Sequence, residues 1–197
     1  MVINSKKYIL LFFIGAILAP IGDYGHVTSG TTEYFWAPGP MILKSPLWFV
    51  ILVGCFTVSL GFLSSTLKKK INSDYSGKKA DFRIMAASVA GTMLLYLTSS
   101  ILPYRFPGIE LLLMIIISIF IWNTTDGTLL SFCIGLTAAL SGVLAEIILI
   151  YFGLYKYNSD YGTFFGVAPW LFAIFFSLGV SIVKIDEYYE LKKADGL

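Results

Sequence analysis

The chain has 197 residues, of which 57% are hydrophobic and only 13% charged, about half the charged share of an ordinary soluble domain. Its 14 Lys and Arg against 12 Asp and Glu leave a net charge of +2, too near balance for a nucleic-acid-binding surface. At about 20 apolar residues per crossing, this length holds six membrane spans with short loops, and no separate soluble catalytic domain.

The first apolar segment, 8–22, follows the Lys6-Lys7 pair. It has the charged start and oily centre of a signal peptide, but no small-x-small cleavage site follows, so it is expected to remain as a span. The other segments are 46–67, 84–102, 108–122, 128–153 and 163–183. In hydrocarbon each must be a helix, because a lone strand leaves its backbone hydrogen bonds unmade. Runs such as Leu111-Leu-Leu-Met-Ile-Ile-Ile-Ser-Ile-Phe120 also lack the alternation of a membrane barrel. The fourth segment reaches only about 22 Å at 1.5 Å per residue, so its helix should extend into the flanking turns or stay inside the bundle. The predicted fold is therefore one all-α membrane domain over 1–197, a six-transmembrane-helix bundle. Eleven of the 14 basic residues (Lys6, Lys7, Lys68, Lys69, Lys70, Lys78, Lys79, Arg83, Lys184, Lys192 and Lys193) fall on one side. Lys44, Arg105 and Lys156 fall on the other, and the positive-inside rule then makes both termini cytoplasmic. The Lys68–Arg83 loop reads as a solvated topology determinant or a headgroup contact. Cys55 and Cys133 sit inside apolar runs and read as core thiols.

Polar residues of interest are few. After the first span come Asp23, His26 and Glu33, with Tyr24, Tyr34 and Trp36. Asp23 and His26 are three apart, so on a helical turn they share a face, and Glu33 would complete an acid/base or metal group. One histidine with two carboxylates is a weak signal, and the simpler reading is that Asp23 caps or orients His26 at the membrane boundary inside an aromatic belt. No Gly-rich phosphate loop, His-Glu-x-x-His pair or Gly-x-Ser-x-Gly elbow is present, and no cofactor or metal is expected. In the fifth segment Ser131, Gly135, Ala138, Ala139, Gly142 and Glu146 fall on one narrow face, a stripe suited to close helix contact. Glu146 then points into the bundle about 10 Å from its helix end, as a structural group, a polar anchor for a lipid, or a proton or ion site. Small residues on other helices suit internal packing, a homo-oligomer or a membrane-protein partner. Asp126, just before a helix start, reads as a cap for the fifth helix or as a partner contact. Tyr151, Tyr155 and Tyr157 close the fifth helix, and Tyr151 and Tyr155, four apart, share a face, as core or as cavity wall.

Trp122-Asn-Thr-Thr-Asp126, Gly135, the run Leu149-Ile-Tyr151-Phe-Gly153-Leu-Tyr155-Lys-Tyr157, Pro169-Trp170, Phe175-Phe176-Ser177 and Gly179-Val180 together resemble the insulin-induced gene proteins, the Insig family. Ser45-Pro-Leu-Trp48 resembles the family's start of span two, and Asp23, His26, Gly30 and Tyr34 the outer loop of its shorter, prokaryotic-type members. The chain departs from the eukaryotic pattern at Gly127 and Thr128, which replace basic residues, at Phe152, which replaces Asn, and at Pro169, which precedes its Trp. The resemblance implies a non-catalytic sensor or scaffold that holds a sterol-like or diacylglycerol-like lipid among its helices. Glu146, Tyr151, Tyr155, Gly142 and Trp48 are the expected lipid-binding residues and Asp126 the expected partner contact. A membrane enzyme using Asp23, His26 and Glu33 on a lipid is the alternative. The expected location is the cell membrane in a prokaryote or the endoplasmic reticulum in a eukaryote.

Overall fold

The computed structural model describes residues 5–71, 81–102, 107–158 and 164–194. Helix α1, Ser5–Ser29, runs unbroken through Pro20 and carries Asp23 and His26 on its last turns. The outer loop expected there begins later, because these turns are packed. A Cβ at Gly22 would collide with the Tyr96 ring, and His26 is bonded to Ser99. Strand β1, Thr32–Tyr34, is followed by a hairpin of β2, Met41–Ile42, and β3, Ser45–Pro46. Helix α2, Leu47–Ile71, leads by way of 72–80, outside the described residues along with most of the basic loop, to α3, Phe82–Ser99. Asp81 caps α3 by accepting from the Ile84 N–H. Helix α4 spans Pro107–Thr125, longer at both ends than the 15-residue segment, as its short apolar run required.

Helix α5, Leu129–Tyr151, is N-capped by Thr128, whose hydroxyl accepts from the Ser131 N–H. Asp126 is thus not the helix cap; it accepts from the Thr128 N–H in the preceding turn. The chain leaves α5 at Tyr151 and bends at Gly153, at a φ of 69°, a left-handed conformation natural to glycine. Strand β4, Tyr155–Tyr157, follows and pairs antiparallel with β1. Helix α6 runs Leu171–Ala194, displaced toward the C-terminus from the apolar segment 163–183. Its second half carries Lys184, Asp186, Glu187 and Glu190, and ion pairs to Lys7, Lys68 and Asp126 keep it folded past the oily stretch.

Among the described residues there are six helices, and α1 to α5 are long and apolar enough to cross a membrane. Lys7, at the start of α1, meets Asp186 late in α6, while His26, late in α1, meets Ser99 at the end of α3 and Trp170 before α6. The helices therefore alternate in direction. α6 packs against all five others, and its residues from Ala173 to Asp186 are buried apart from Phe175 and Leu178, which are half-buried. The predicted α5 stripe is the contact with α6: Ser131, Gly135, Ala138, Ala139, Gly142 and Glu146 are all buried. A Cβ at Gly179 would lie 2.7 Å from the Gly135 Cα, so two glycines let these backbones touch. Cys55 and Cys133 are exposed on the outer faces of α2 and α5 rather than in the core. An apolar run is compatible with either place, because lipid-facing and core-facing positions are equally oily.

Candidate functional site

A cavity of about 90 Å³ opens between α1, α2, α3, α5 and α6. Ile14, Leu18, Phe49, Val53, Met93, Phe175 and Leu178 give it aliphatic and aromatic walls. Its polar lining is Thr57, Thr92, Ser181, Tyr96 and Glu146. The first three are spent locally: the Thr57 hydroxyl donates to the Leu11 and Gly54 carbonyls, and Thr92 bonds Ser181 at 2.9 Å. Glu146 and Tyr96 remain as the polar groups of the wall, and no Lys, Arg or His stands among the lining residues.

Above this end the β1–β4 ribbon forms a roof. Glu146 Oε2 accepts from the Tyr155 hydroxyl and, at 3.0 Å, from Tyr157. Of the basic residues that could pair with Glu146, Arg105 lies outside the described residues, His26 bonds Ser99 at 2.9 Å, and Lys156 faces outward to Glu33 at 3.0 Å. The period of two along β4 explains this: Tyr155 and Tyr157 turn inward and Lys156 outward. Asp23 Oδ2 accepts from Tyr34 at 2.8 Å and Ser45 at 2.5 Å. The Tyr34 ring lies 5.5 Å from that of Tyr155, so the two carboxylates share one aromatic roof. Burial, and after it the charge of Asp23 for Tyr34 and of Glu146 for Tyr157, pushes both phenols well above their ordinary range, which keeps them as donors.

Asp23, His26 and Glu33 are not brought together. Asp23 belongs to the roof, His26 stacks against Trp170 with ring centres 6.4 Å apart, and Glu33 is exposed on the ribbon. Sharing a helical face does not make a pair when each side chain finds a nearer partner on another element. Among the described residues no three His, Cys, Asp or Glu side chains gather as a metal shell would require.

Of the expected lipid-binding residues, Glu146 lines the cavity and Tyr155 is 3% exposed in the roof. Tyr151 is 84% exposed, because the helix ends there and Tyr155 no longer shares its face. Gly142 lies behind the wall: a Cβ there would sit 2.5 Å from the Phe175 ring. Trp48 donates from Nε1 to the Trp36 carbonyl at 3.0 Å and packs on Tyr34 and Tyr155, while its neighbour Phe49 reaches the cavity. Nothing in the sequence separates Tyr96 from other tyrosines in apolar runs.

The opposite end of the bundle holds a buried ion cluster. Asp126 is 3% exposed and its Oδ2 lies 2.8 Å from Lys184 Nζ. Lys184 also reaches Glu187 at 2.7 Å. Asp186 pairs with Lys7 at 2.6 Å and Lys68 at 3.1 Å.

Membrane-length helices around an apolar cavity, roofed by a polar ribbon at one end and tied by buried ions at the other, define a multi-pass helical membrane protein. No protein-family model matches the chain. An INSIG protein homolog from Mycolicibacterium vanbaalenii is 31% identical, over 94% of this chain and 87% of that protein. The insulin-induced gene 1 protein of Danio rerio is 26% identical, over 91% of this chain and 70% of that protein. A crystal structure of a mycobacterial Insig homolog from Mycobacterium vanbaalenii matches with a TM-score of 0.84 at 30% identity, covering 95% of each chain. A cross-linked trimer of that homolog matches equally well. The chain belongs to the Insig family, whose members are membrane regulatory proteins.

Proposed function

We propose that the chain crosses the membrane six times with both termini cytoplasmic, holds one neutral lipid in its cavity, and acts without catalysis as a lipid-responsive regulator or scaffold. The cavity carries this reading: its walls are oily, its polar groups besides the locally bonded hydroxyls are Glu146 and Tyr96 at one end, and no cation stands among its described lining residues. A phosphate brought there would meet Glu146, with Asp23 close behind in the roof, and no cation among the described lining residues to offset the charge. A sterol-like or diacylglycerol-like lipid suits the cavity better. Its hydrocarbon fills the walls, while a hydroxyl donates to Glu146 and accepts from Tyr96. The basic residues support the orientation, since those of α1, α2 and α6 collect at one end. The trimer of the Mycobacterium homolog favours a homo-oligomer. A membrane-protein partner that engages Asp126 must first displace Lys184.

Native mass spectrometry of the full chain in detergent tests the reading. The expected result is a neutral lipid mass at about one per protomer, its occupancy weakened up to about tenfold by Tyr96→Phe, the loss of one hydrogen bond. Untreated and delipidated protein of equal mass and intact helicity would overturn the proposal, as would a bound anionic phospholipid.

A further inference from the structure

The β2–β3 hairpin stands at the roofed end of the bundle but belongs to neither the cavity wall nor the ion cluster. Its register sets Met41 opposite Pro46 and Ile42 opposite Ser45, leaving Leu43 and Lys44 as a two-residue turn. Both have positive φ, 49° and 67°. That is the backbone of a tight hairpin turn for which Asn-Gly is the favoured pair, so leucine and lysine are held there under strain. The turn's own geometry gives no reason for these two side chains.

Their surroundings do. Met41, Ile42 and Leu43 are exposed by 47%, 39% and 50%, giving the hairpin an apolar tip. Lys44 sits with its ammonium 5.3 Å from the centre of the Tyr24 ring. Tyr24 in turn completes an exposed stripe of α1 through Phe13, Ile17 and Ile21, residues that share one helical face. In a membrane protein that face meets lipid. The hairpin therefore extends the lipid-facing surface of α1 beyond the last apolar turns of the helix and sets a basic group at headgroup level.

We propose that this hairpin is a membrane anchor, inserting Met41, Ile42 and Leu43 into the headgroup–acyl boundary of the leaflet at the roofed end, with Lys44 among the phosphates. The next residue is Ser45, whose hydroxyl donates to Asp23. The leaflet thus holds the strand that closes the roof, and membrane contact and roof geometry are joined by one residue.

Nitroxide labelling of the full chain in phosphatidylcholine–phosphatidylglycerol vesicles tests this, in a Cys55→Ala, Cys133→Ala background. A label at Leu43→Cys is expected to collide with oxygen more than with a water-soluble nickel chelate, the ratio exceeding that at Glu33→Cys on the exposed ribbon by about threefold or more. A ratio no higher than at position 33 would place the tip in water and overturn the proposal. Shielding from both reagents would overturn it too, by showing protein over the tip. A second variant, Leu43→Asn with Lys44→Gly, keeps the turn in its favoured sequence and removes the apolar tip residue and the basic group together. A label at Met41→Cys should then lose its oxygen preference, and an unchanged preference means that the scaffold alone sets the depth, against the proposal.

Discussion

Lys184 is fully buried, between Asp126 at 2.8 Å and Glu187 at 2.7 Å. Removing its charge takes a cation from beside buried Asp126, and breaking a buried pair from one side costs about 3–5 kcal/mol. Lys184→Met is therefore expected to lower the unfolding midpoint in detergent sharply. Asp126→Asn added to it should recover much of the loss, because the carboxylate that the pair offset is then neutral too. Equal losses for the single and double variants would show that packing around the lysine stem, and not the pair, carries the effect. By sequence Lys184 counts as one of eleven basic residues that fix the orientation, and Asp126 as a cap or partner contact. A charge near a helix end reads as solvated unless one knows what covers it. The available clue is that α6 is apolar on every side before Lys184, the mark of a helix surrounded by others. A charge on such a helix is buried and needs a counter-ion. Tyr96 offers no such clue, since its place beside Glu146 depends on how α3 and α5 lie together.

At the scale of elements, the α5–α6 contact was readable and the ribbon was not. The stripe from Ser131 to Glu146 repeats at helical spacing over several turns, and the structure buries every member of it. Its tightest approach to backbone is at Gly179, where a Cβ would meet the Gly135 Cα at 2.7 Å and the Ile134 carbonyl oxygen at 2.8 Å. Both are backbone atoms and cannot swing aside. Gly179→Leu should thus force the helices apart, at a cost of about 1–3 kcal/mol or more. Gly108→Leu is the control, since a Cβ there meets nothing within 4 Å. Thermal unfolding of the two variants checks the contrast, and equal midpoints would mean that α5 and α6 are looser than the contact implies. The β1–β4 ribbon joins segments far apart in sequence through only three residue pairs. Three residues carry too little periodicity to be told from a continuing helix, and so the spacing of Tyr151 and Tyr155 reads as a single helical face. Gly153 was the local sign of a break, and it separates exposed Tyr151 from buried Tyr155.

Across the whole molecule, α6 joins the two ends. Leu171, Ile174, Phe175 and Leu178 face the cavity, while Lys184 and Asp186 of the same helix hold α1, α2 and the α4–α5 turn through ions. A lipid that fills the cavity stabilises the bundle through these walls. At a free concentration about 100 times Kd, binding to the folded state alone adds about 2.7 kcal/mol, enough to raise the unfolding midpoint by several degrees. Filling the same space from within should remove that gain without removing the fold. Val53 and Leu178 line the cavity from opposite helices, so Val53→Phe and Leu178→Phe place new rings where the lipid's hydrocarbon would lie. The expected outcome is a lipid-free midpoint close to that of the parent and no further rise when a neutral lipid is added, whereas the parent rises. If both variants still gain as much as the parent, the stabilising lipid binds on the outer faces of the helices, and the cavity is packing space that the fold leaves empty.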